Sequence, residues 1–352
     1  MFSDRLKLFL SSGLGLWLGF WSGSLVYCFF RYGQIPSNPF LALLSSTFLR
    51  KSLYEHEGGV NFLAITPDGQ ILVSSSSEPI IEVFNLHTGE KIRSLEGHSG
   101  SVYSIAISPD GQTLVSGSDD QTVKVWNLFT GEELYSLEEH TESVNCVAVS
   151  PDSQTFASGS DDQTIKIWNL DTGEEIRTLE GHSDAVFCLA ISPDGQIIAS
   201  GSSDNTIKIW DYKTGEILQT ISDFESEVLS LAISPDSQTL ISGSGLTDGE
   251  IKIWNLKTGE LIQTFPIAGR SLPILGQQLV SVESLAINPQ GTLLVSGGSD
   301  NKIRIWDLST GKLVRTLYGH SDWVKAVAIS PDGHTLVSGG GDADETIMIW
   351  RL

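Results

Sequence analysis

Thr122-Val123-Lys124-Val125-Trp126-Asn127, Thr164-Ile165-Lys166-Ile167-Trp168-Asn169 and Thr206-Ile207-Lys208-Ile209-Trp210-Asp211 are one pattern written three times, 42 residues apart. A fixed period of roughly 20 to 50 residues marks a repeat architecture and redefines the whole fold. The strand returns at Trp254, Trp306 and Trp350, after intervals of 44, 52 and 44 residues, and Phe84 holds the equivalent place 42 residues before Trp126. Seven units result. In the unit at residues 97–137, the β-type runs Val102-Tyr103-Ser104-Ile105-Ala106-Ile107 and Thr113-Leu114-Val115-Ser116 are joined by the turn Ser108-Pro109-Asp110-Gly111. The run ending at Trp126 is a third strand, and residues 133–137, after Thr130-Gly131-Glu132, make a fourth. A four-stranded antiparallel meander of this size cannot cover its own apolar faces. The units must therefore pack sheet on sheet, and closing the array into a ring protects its ends.

Gly-His opens several units (Gly97-His98, Gly181-His182, Gly319-His320), and Trp-Asp or Trp-Asn ends the third strand, as in Trp210-Asp211, Trp306-Asp307, Trp126-Asn127, Trp168-Asn169 and Trp254-Asn255. With these residues the chain resembles the WD-repeat family over about residues 47–352, although Trp350-Arg351 departs from the pattern. The near-identity of several units resembles bacterial members, cyanobacterial ones among them. The resemblance implies an all-β fold, a seven-bladed β-propeller of four-stranded antiparallel blades. It says little of function, because this fold mostly presents surfaces. The last unit ends after its third strand, whereas Leu49-Arg50-Lys51-Ser52-Leu53-Tyr54-Glu55-His56 matches Leu313-Val314-Arg315-Thr316-Leu317-Tyr318-Gly319-His320. Residues 48–54 are expected to complete the seventh blade.

Each well-formed unit carries a His, a Ser, an Asp and a Trp, the first three being the residue types of a hydrolase triad. The sets are His98, Ser116, Asp120 and Trp126; His140, Ser158, Asp162 and Trp168; His182, Ser200, Asp204 and Trp210; and His320, Ser338, Asp344 and Trp350. Four copies at the repeat spacing mark a structural device. In the resembled family such groups hydrogen-bond within a blade, tying the loop before the first strand to the turn between the second and third. There is no G-x-S-x-G elbow, H-E-x-x-H pair, P-loop or dinucleotide fingerprint, so no catalytic residue, metal or cofactor is assigned and the chain is not expected to be an enzyme.

Composition agrees with a folded chain: 40% hydrophobic and 18% charged residues allow a core and exclude general disorder. A net charge of −22 removes the broad basic surface that nucleic acid requires. Three cysteines without a C-x-x-C pair exclude a disulfide or zinc scaffold, and Cys146 and Cys188, at equivalent positions in neighbouring innermost strands, are expected to be unpaired.

Residues 8–30 contain no charge, and these 23 residues match the roughly 20 needed to span a bilayer as a helix. The alternative, a secretory signal, needs small residues before its cleavage site, where this segment has Leu25-Val26-Tyr27-Cys28. The expected organisation is a tail and transmembrane helix at 1–31, a linker with a short interfacial helix at 32–46, and the propeller at 47–352. Ser11, Gly15, Gly19 and Gly23 would form one small-residue helical face open to self-association, although such residues are also common in membrane helices. Arg5 and Lys7 before the span are offset by Arg31, Arg50 and Lys51 after it, leaving the side of the propeller undetermined.

Three length changes break the period: two extra residues in the turn at 243–248, ten between Phe265 and Val282, and two at 339–344. By the family resemblance all three emerge on one end of the ring. The residue after the Val that opens each innermost strand belongs there too, including Tyr103, Phe187, Leu229, Glu283 and Lys325. With Phe224, Arg270 and Trp323 these form the expected partner-binding surface, a mixture of apolar anchors and charge of the kind protein recognition uses. The leading functional expectation is a membrane-tethered interaction scaffold. The alternatives are a propeller that senses a small ligand in membrane signalling and, further off, a propeller enzyme.

Overall fold

The computed structural model describes residues 14–21, 24–31, 49–53, 58–247, 249–267 and 280–352, the first two stretches by their backbone alone. Residues 1–47 and 48–352 are separate units. In the first, Leu14–Trp21 pairs antiparallel with Ser24–Arg31. Of the segment expected as a helix, residues 8–13 and 22–23 lie outside the described residues, Ser11 and Gly23 of its small-residue face among them, as does the interfacial helix expected in 32–46. Among the described residues no helix is long and apolar enough to cross a membrane.

The second unit contains seven antiparallel sheets of four strands. Blade one runs Val60–Ile65, Ile71–Ser76, Ile80–Asn85 and Lys91–Glu96, and blade two Val102–Ile107, Thr113–Ser118, Val123–Asn127 and Glu133–Leu137. The first strands neighbour one another round the whole cycle, blade seven touching blade one, so they line the axis. Blade seven consists of Val324–Ile329, Thr335–Gly340 and Ile347–Arg351, and its outermost strand is Leu49–Leu53 from the other end of the chain. Leu49 pairs with Trp350, Lys51 with Ile349 and Leu53 with Ile347.

Second strands such as Thr113–Ser118 are buried almost throughout, whereas the outermost Glu133–Leu137 buries only its last residue. A strand covered on both faces has no need to alternate apolar and polar residues, which is why Leu114-Val115-Ser116-Gly117 reads as a run of small and apolar residues. The core is seven clusters, each at a seam. Val73, Ile81, Val83 and Leu95 of blade one pack on Val102, Ile105, Leu114 and Trp126 of blade two. Leu53, Val60, Leu72 and Phe84 pack on Val337, Ile347 and Ile349 where the ring closes.

A size rule governs the seams. Gly117, Gly159, Gly201, Gly297 and Gly339 each lie so close to the first Val of the next blade that an added Cβ would come within 2.4 to 2.8 Å of its Cγ1. Their cross-strand partners are small: Ser104, Cys146, Cys188, Ser284 and Ala326. Blade one alone pairs Phe62 with Ser75 at this place. Ser75 is wholly buried with no hydrogen-bond partner for its Oγ, and Phe62 stands 39% exposed on its innermost strand.

The opposite end of the ring is made by Ser-Pro-Asp-Gly turns. Ser108 Oγ donates to Asp110 and accepts from the Thr113 amide at 2.9 Å, Asp110 Oδ1 accepts from the Gln112 amide at 3.0 Å, and Gly111 takes the positive φ of 75°.

Two outcomes are expected. A chain beginning near residue 45 should melt as one cooperative unit, whereas one beginning at Gly58, lacking the closing strand, should melt far lower or aggregate; equal melting temperatures would show that closure does not depend on Leu49–Leu53. Ser75→Ala, which keeps the Cβ and removes an unpaired buried hydroxyl, should stabilise the propeller by about 1 to 3 kcal/mol in denaturant titration.

Candidate interaction surface

In blade two, Trp126 Nε1 donates to Ser116 Oγ at 2.9 Å, Ser116 Oγ meets His98 Nε2 at 2.7 Å, and His98 Nδ1 meets Asp120 Oδ2 at 2.8 Å. The order that satisfies every group is a neutral imidazole with its proton on Nδ1, directed at the carboxylate, while Nε2 accepts from the serine. Asp120 also accepts from the Ser99 and Thr122 amides at 2.8 and 3.0 Å, so the loop before the first strand is tied to the turn after the second. His140, Ser158, Asp162 and Trp168 repeat the chain, as do His182, Ser200, Asp204 and Trp210, and His320, Ser338, Asp344 and Trp350. The four serines are wholly buried and already bonded to an indole, so none is presented to a substrate.

Burial acts to raise the Asp120 and Asp162 pKa values, but hydrogen bonds from His98 and Thr122, and from His140 and Thr164, prevail and hold both well below the carboxylate range. Burial likewise keeps His182 below its ordinary value, although Asp204 opposes it.

The other three blades replace the set by different chemistry. In blade five Phe224 occupies the His position, its ring 5.5 Å from that of Trp254, with Lys252 Nζ 4.8 Å over its face. Phe224 thus serves the blade, half-buried, rather than standing out at the rim. Blade six keeps Asp300 but gives it Arg304, in two hydrogen bonds of 3.0 and 2.6 Å, and Lys302 at 2.8 Å. Arg304 was not singled out from the sequence; its signal is an Asp without its His and an Arg where Lys124, Lys166 and Lys208 stand elsewhere. Blade one has Phe84 in place of Trp and a buried Glu82 bonded to Lys91 at 2.6 Å.

The turn after the second strand bonds the loop before the first in blade after blade: Asp119 N–H to Ser101 O at 2.9 Å, Gly245 to Glu227 at 2.9 Å, Ser299 to Ser281 at 3.2 Å and Gly341 to Trp323 at 2.8 Å. The turns at 243–248 and 339–344 therefore share one end, and Ser281, at the close of the 266–281 segment, is bonded there too. At the axial mouth there, Tyr103 Oη donates to Asp119 at 3.2 Å and Asn145 Nδ2 to Asp161 at 2.6 Å. Lys325 Nζ bridges Asp342 at 3.2 Å and Asn61 at 3.5 Å. Burial pushes the Glu283 carboxyl up, against the hydrogen bond from Ser281 and the charge of Lys325. Tyr103, Phe187, Leu229, Glu283 and Lys325 are all half-buried at this mouth, and Trp323 is 43% exposed beside it. Arg270 and most of the 266–281 insertion lie outside the described residues. Phe62, exposed on an innermost strand, joins the axial surface; its signal was a large residue where the other units have Ser, Cys or Ala.

Among the described residues no group of three His, Cys, Asp or Glu is placed to hold a metal. Cys146 and Cys188 are buried free thiols, and burial pushes both pKa values up.

The WD domain, G-beta repeat model matches residues 47–85, 89–127, 271–307 and 311–351, and a model of the IFT122 first beta-propeller matches 127–274. This is a seven-bladed propeller of WD repeats. Over 43 residues, 12% of the chain, it is 44% identical to the probable serine/threonine-protein kinase PkwA of Thermomonospora curvata, of which that stretch is 6%. Over 35 residues, 10% of the chain, it is 54% identical to the nuclear distribution protein PAC1 of Arthroderma otae, of which that stretch is 8%. These matches are about one repeat long, and propellers of this family commonly serve as protein-interaction scaffolds.

The buried networks should give the propeller a two-step acid response. Below pH about 6.5 the unfolded chain takes up a proton at His182 that the fold resists, and below about 4 it does so at Asp120 and Asp162, so stability falls as pH falls through both windows. Asp120→Asn should flatten the lower limb and cost about 1 to 3 kcal/mol at neutral pH, read from denaturant midpoints at a series of pH values. An unchanged acid limb would show that this carboxylate does not carry the effect.

Proposed function

We propose that this WD-repeat propeller is a membrane-tethered scaffold that offers the end bearing the loop insertions to a protein partner. The observation that carries the reading is Trp323. It is a large aromatic left 43% exposed, on a loop held by the Gly341 amide, beside the Lys325–Asp342 ion pair. An aromatic anchor surrounded by fixed charge is what a protein hot spot uses, because the ring buries much area at little entropic cost while the charges select orientation. The chain also carries a ten-residue insertion between Phe265 and Val282, with Arg270, Leu272 and Ile274 in it. The tether rests on the 23 uncharged residues at 8–30, enough for one crossing.

The full chain should remain in the membrane pellet after carbonate extraction with residues 1–30 retained; a soluble mature chain lacking them would overturn the tether. Trp323→Ala should leave the melting temperature nearly unchanged and weaken capture of the partner from detergent-solubilised native membranes about tenfold, near 1.4 kcal/mol. Undiminished capture, together with loss from substitutions in the Ser-Pro-Asp-Gly turns, would move the site to the opposite end.

A further inference from the structure

The outer rim of the ring has two unlike halves. Each outermost strand carries a one-residue bulge against the third strand, and in blades one to six the extra residue is aliphatic and exposed: Ile92, Leu134, Ile176, Leu218, Ile262 and Val314, at 45 to 58%. In blades one to three the residue before it is charged and ion-paired within the blade: Lys91 with Glu82, Glu133 with Lys124, Glu175 with Lys166. In blades four to six that residue is aliphatic too. Ile217, Leu261 and Leu313 are 43 to 48% exposed, so three consecutive blades each show a pair of aliphatic side chains to solvent. A groove of about 350 Å³ between blades five and six, lined by Pro235, Ile262 and Leu308 among others, continues this surface.

Charge follows this division only in part. The outer strands of blades two and three and their flanking turns expose Glu132, Glu133, Glu138, Glu139, Asp171, Glu174, Glu175 and Glu180, and blade four exposes Lys213 against Glu216 and Asp223, while blades five and six expose Lys257, Lys312 and Arg315 against Glu260. Blade seven has Arg50 and Lys51 in the strand by which the chain enters the ring, and only 18 residues separate that strand from the uncharged segment ending at Phe30.

We propose that the rim of blades four to six rests on a phospholipid bilayer surface, an inference that builds on the tether reading above. Aliphatic pairs flanked by long cationic side chains suit a lipid interface, where the apolar groups enter the acyl boundary and the ammonium and guanidinium groups stay at headgroup level. The acidic outer strands of blades two and three then face away from the bilayer. The bulge in every outer strand interrupts the edge and works against addition of a strand from another protein. This half of the rim also lacks the exposed Trp and Tyr that anchor protein interfaces, and isolated apolar residues would not recur as pairs in adjacent blades.

The test uses the full chain with Cys28→Ser, since the remaining thiols are buried. Single cysteines placed at 218, 262 or 314, and at 92, 134 or 176 as controls, are fluorescently labelled, and the protein is reconstituted in phosphatidylcholine vesicles containing a lipid-borne nitroxide. Labels in blades four to six should be quenched at least about threefold more than those in blades one to three, at the shallow depth of an interfacial contact. Adding Ile217→Glu, Leu261→Glu and Leu313→Glu should abolish the difference while the protein stays with the vesicles. Equal quenching of both sets in a carbonate-resistant protein would overturn rim docking and leave the tether standing. Protein that does not sediment with vesicles would overturn both. Labels shielded from an aqueous quencher yet untouched by the lipid nitroxide would assign the patch to a second copy of the chain instead.

Discussion

The pairing of Leu49–Leu53 with Ile347–Arg351 is the contact on which the rest of the propeller depends. No blade can cover its own second strand; each is buried only because a neighbour lies on either face. Six seams follow from chain order, but the seventh exists only if the two ends of the unit meet in one sheet. Leu53, buried in one cluster with Val60 and Ile347, is then part of the same core as Phe84 and Val337. Losing one such leucine costs about 2 to 5 kcal/mol, and losing the strand exposes two blade faces together. Closure also explains why the loops at either end sit at fixed positions: a ring has no free end through which a seam can relax.

Within that frame the polar networks are part of the fold rather than a site. A buried serine, imidazole or carboxylate without a partner is costly, so every blade needs some complete arrangement between its third strand and its upper turn. Four blades use Trp, Ser, His and Asp. Blade five instead presses Phe224 on Trp254 under the Lys252 ammonium, and blade six clamps Asp300 with Arg304. These solutions satisfy the same positions with different pH responses, since a guanidinium does not titrate where an imidazole does. The variation falls in blades one, five and six, and blades five and six adjoin the 266–281 insertion.

The ring is therefore regular in its middle units and individual elsewhere. One end gathers the turns at 243–248 and 339–344, Trp323 and the Lys325–Asp342 pair, while the rim bears paired aliphatic residues on blades four to six and single ones beside ion pairs on blades one to three. On the two proposals above, a rigid body with one surface on an end and another on the rim would hold a partner while keeping a fixed attitude to the bilayer. The polar sets repeat and the surfaces do not, which is why the proposals rest on the surfaces.

The repeat itself was legible in the chain: Trp126, Trp168 and Trp210 at equal spacing, turns of Ser-Pro-Asp-Gly, and a first strand matching the missing last one are local patterns that survive in one dimension. The His, Ser, Asp and Trp sets were legible for the same reason, because repetition shows which residues vary together. What only the tertiary structure decided depends on neighbours from another blade or on a one-residue change of register. Phe224 looked like a rim residue until the ring of Trp254 was beneath it, and Arg304 drew no notice until its fork closed on Asp300. Glycine at 117, 159 and 201 is required by a valine some 27 residues further on, a demand that no local propensity carries. The bulge that turns Leu218, Ile262 and Val314 outward is likewise invisible to an alternating pattern, since one extra residue reverses which face every side chain takes.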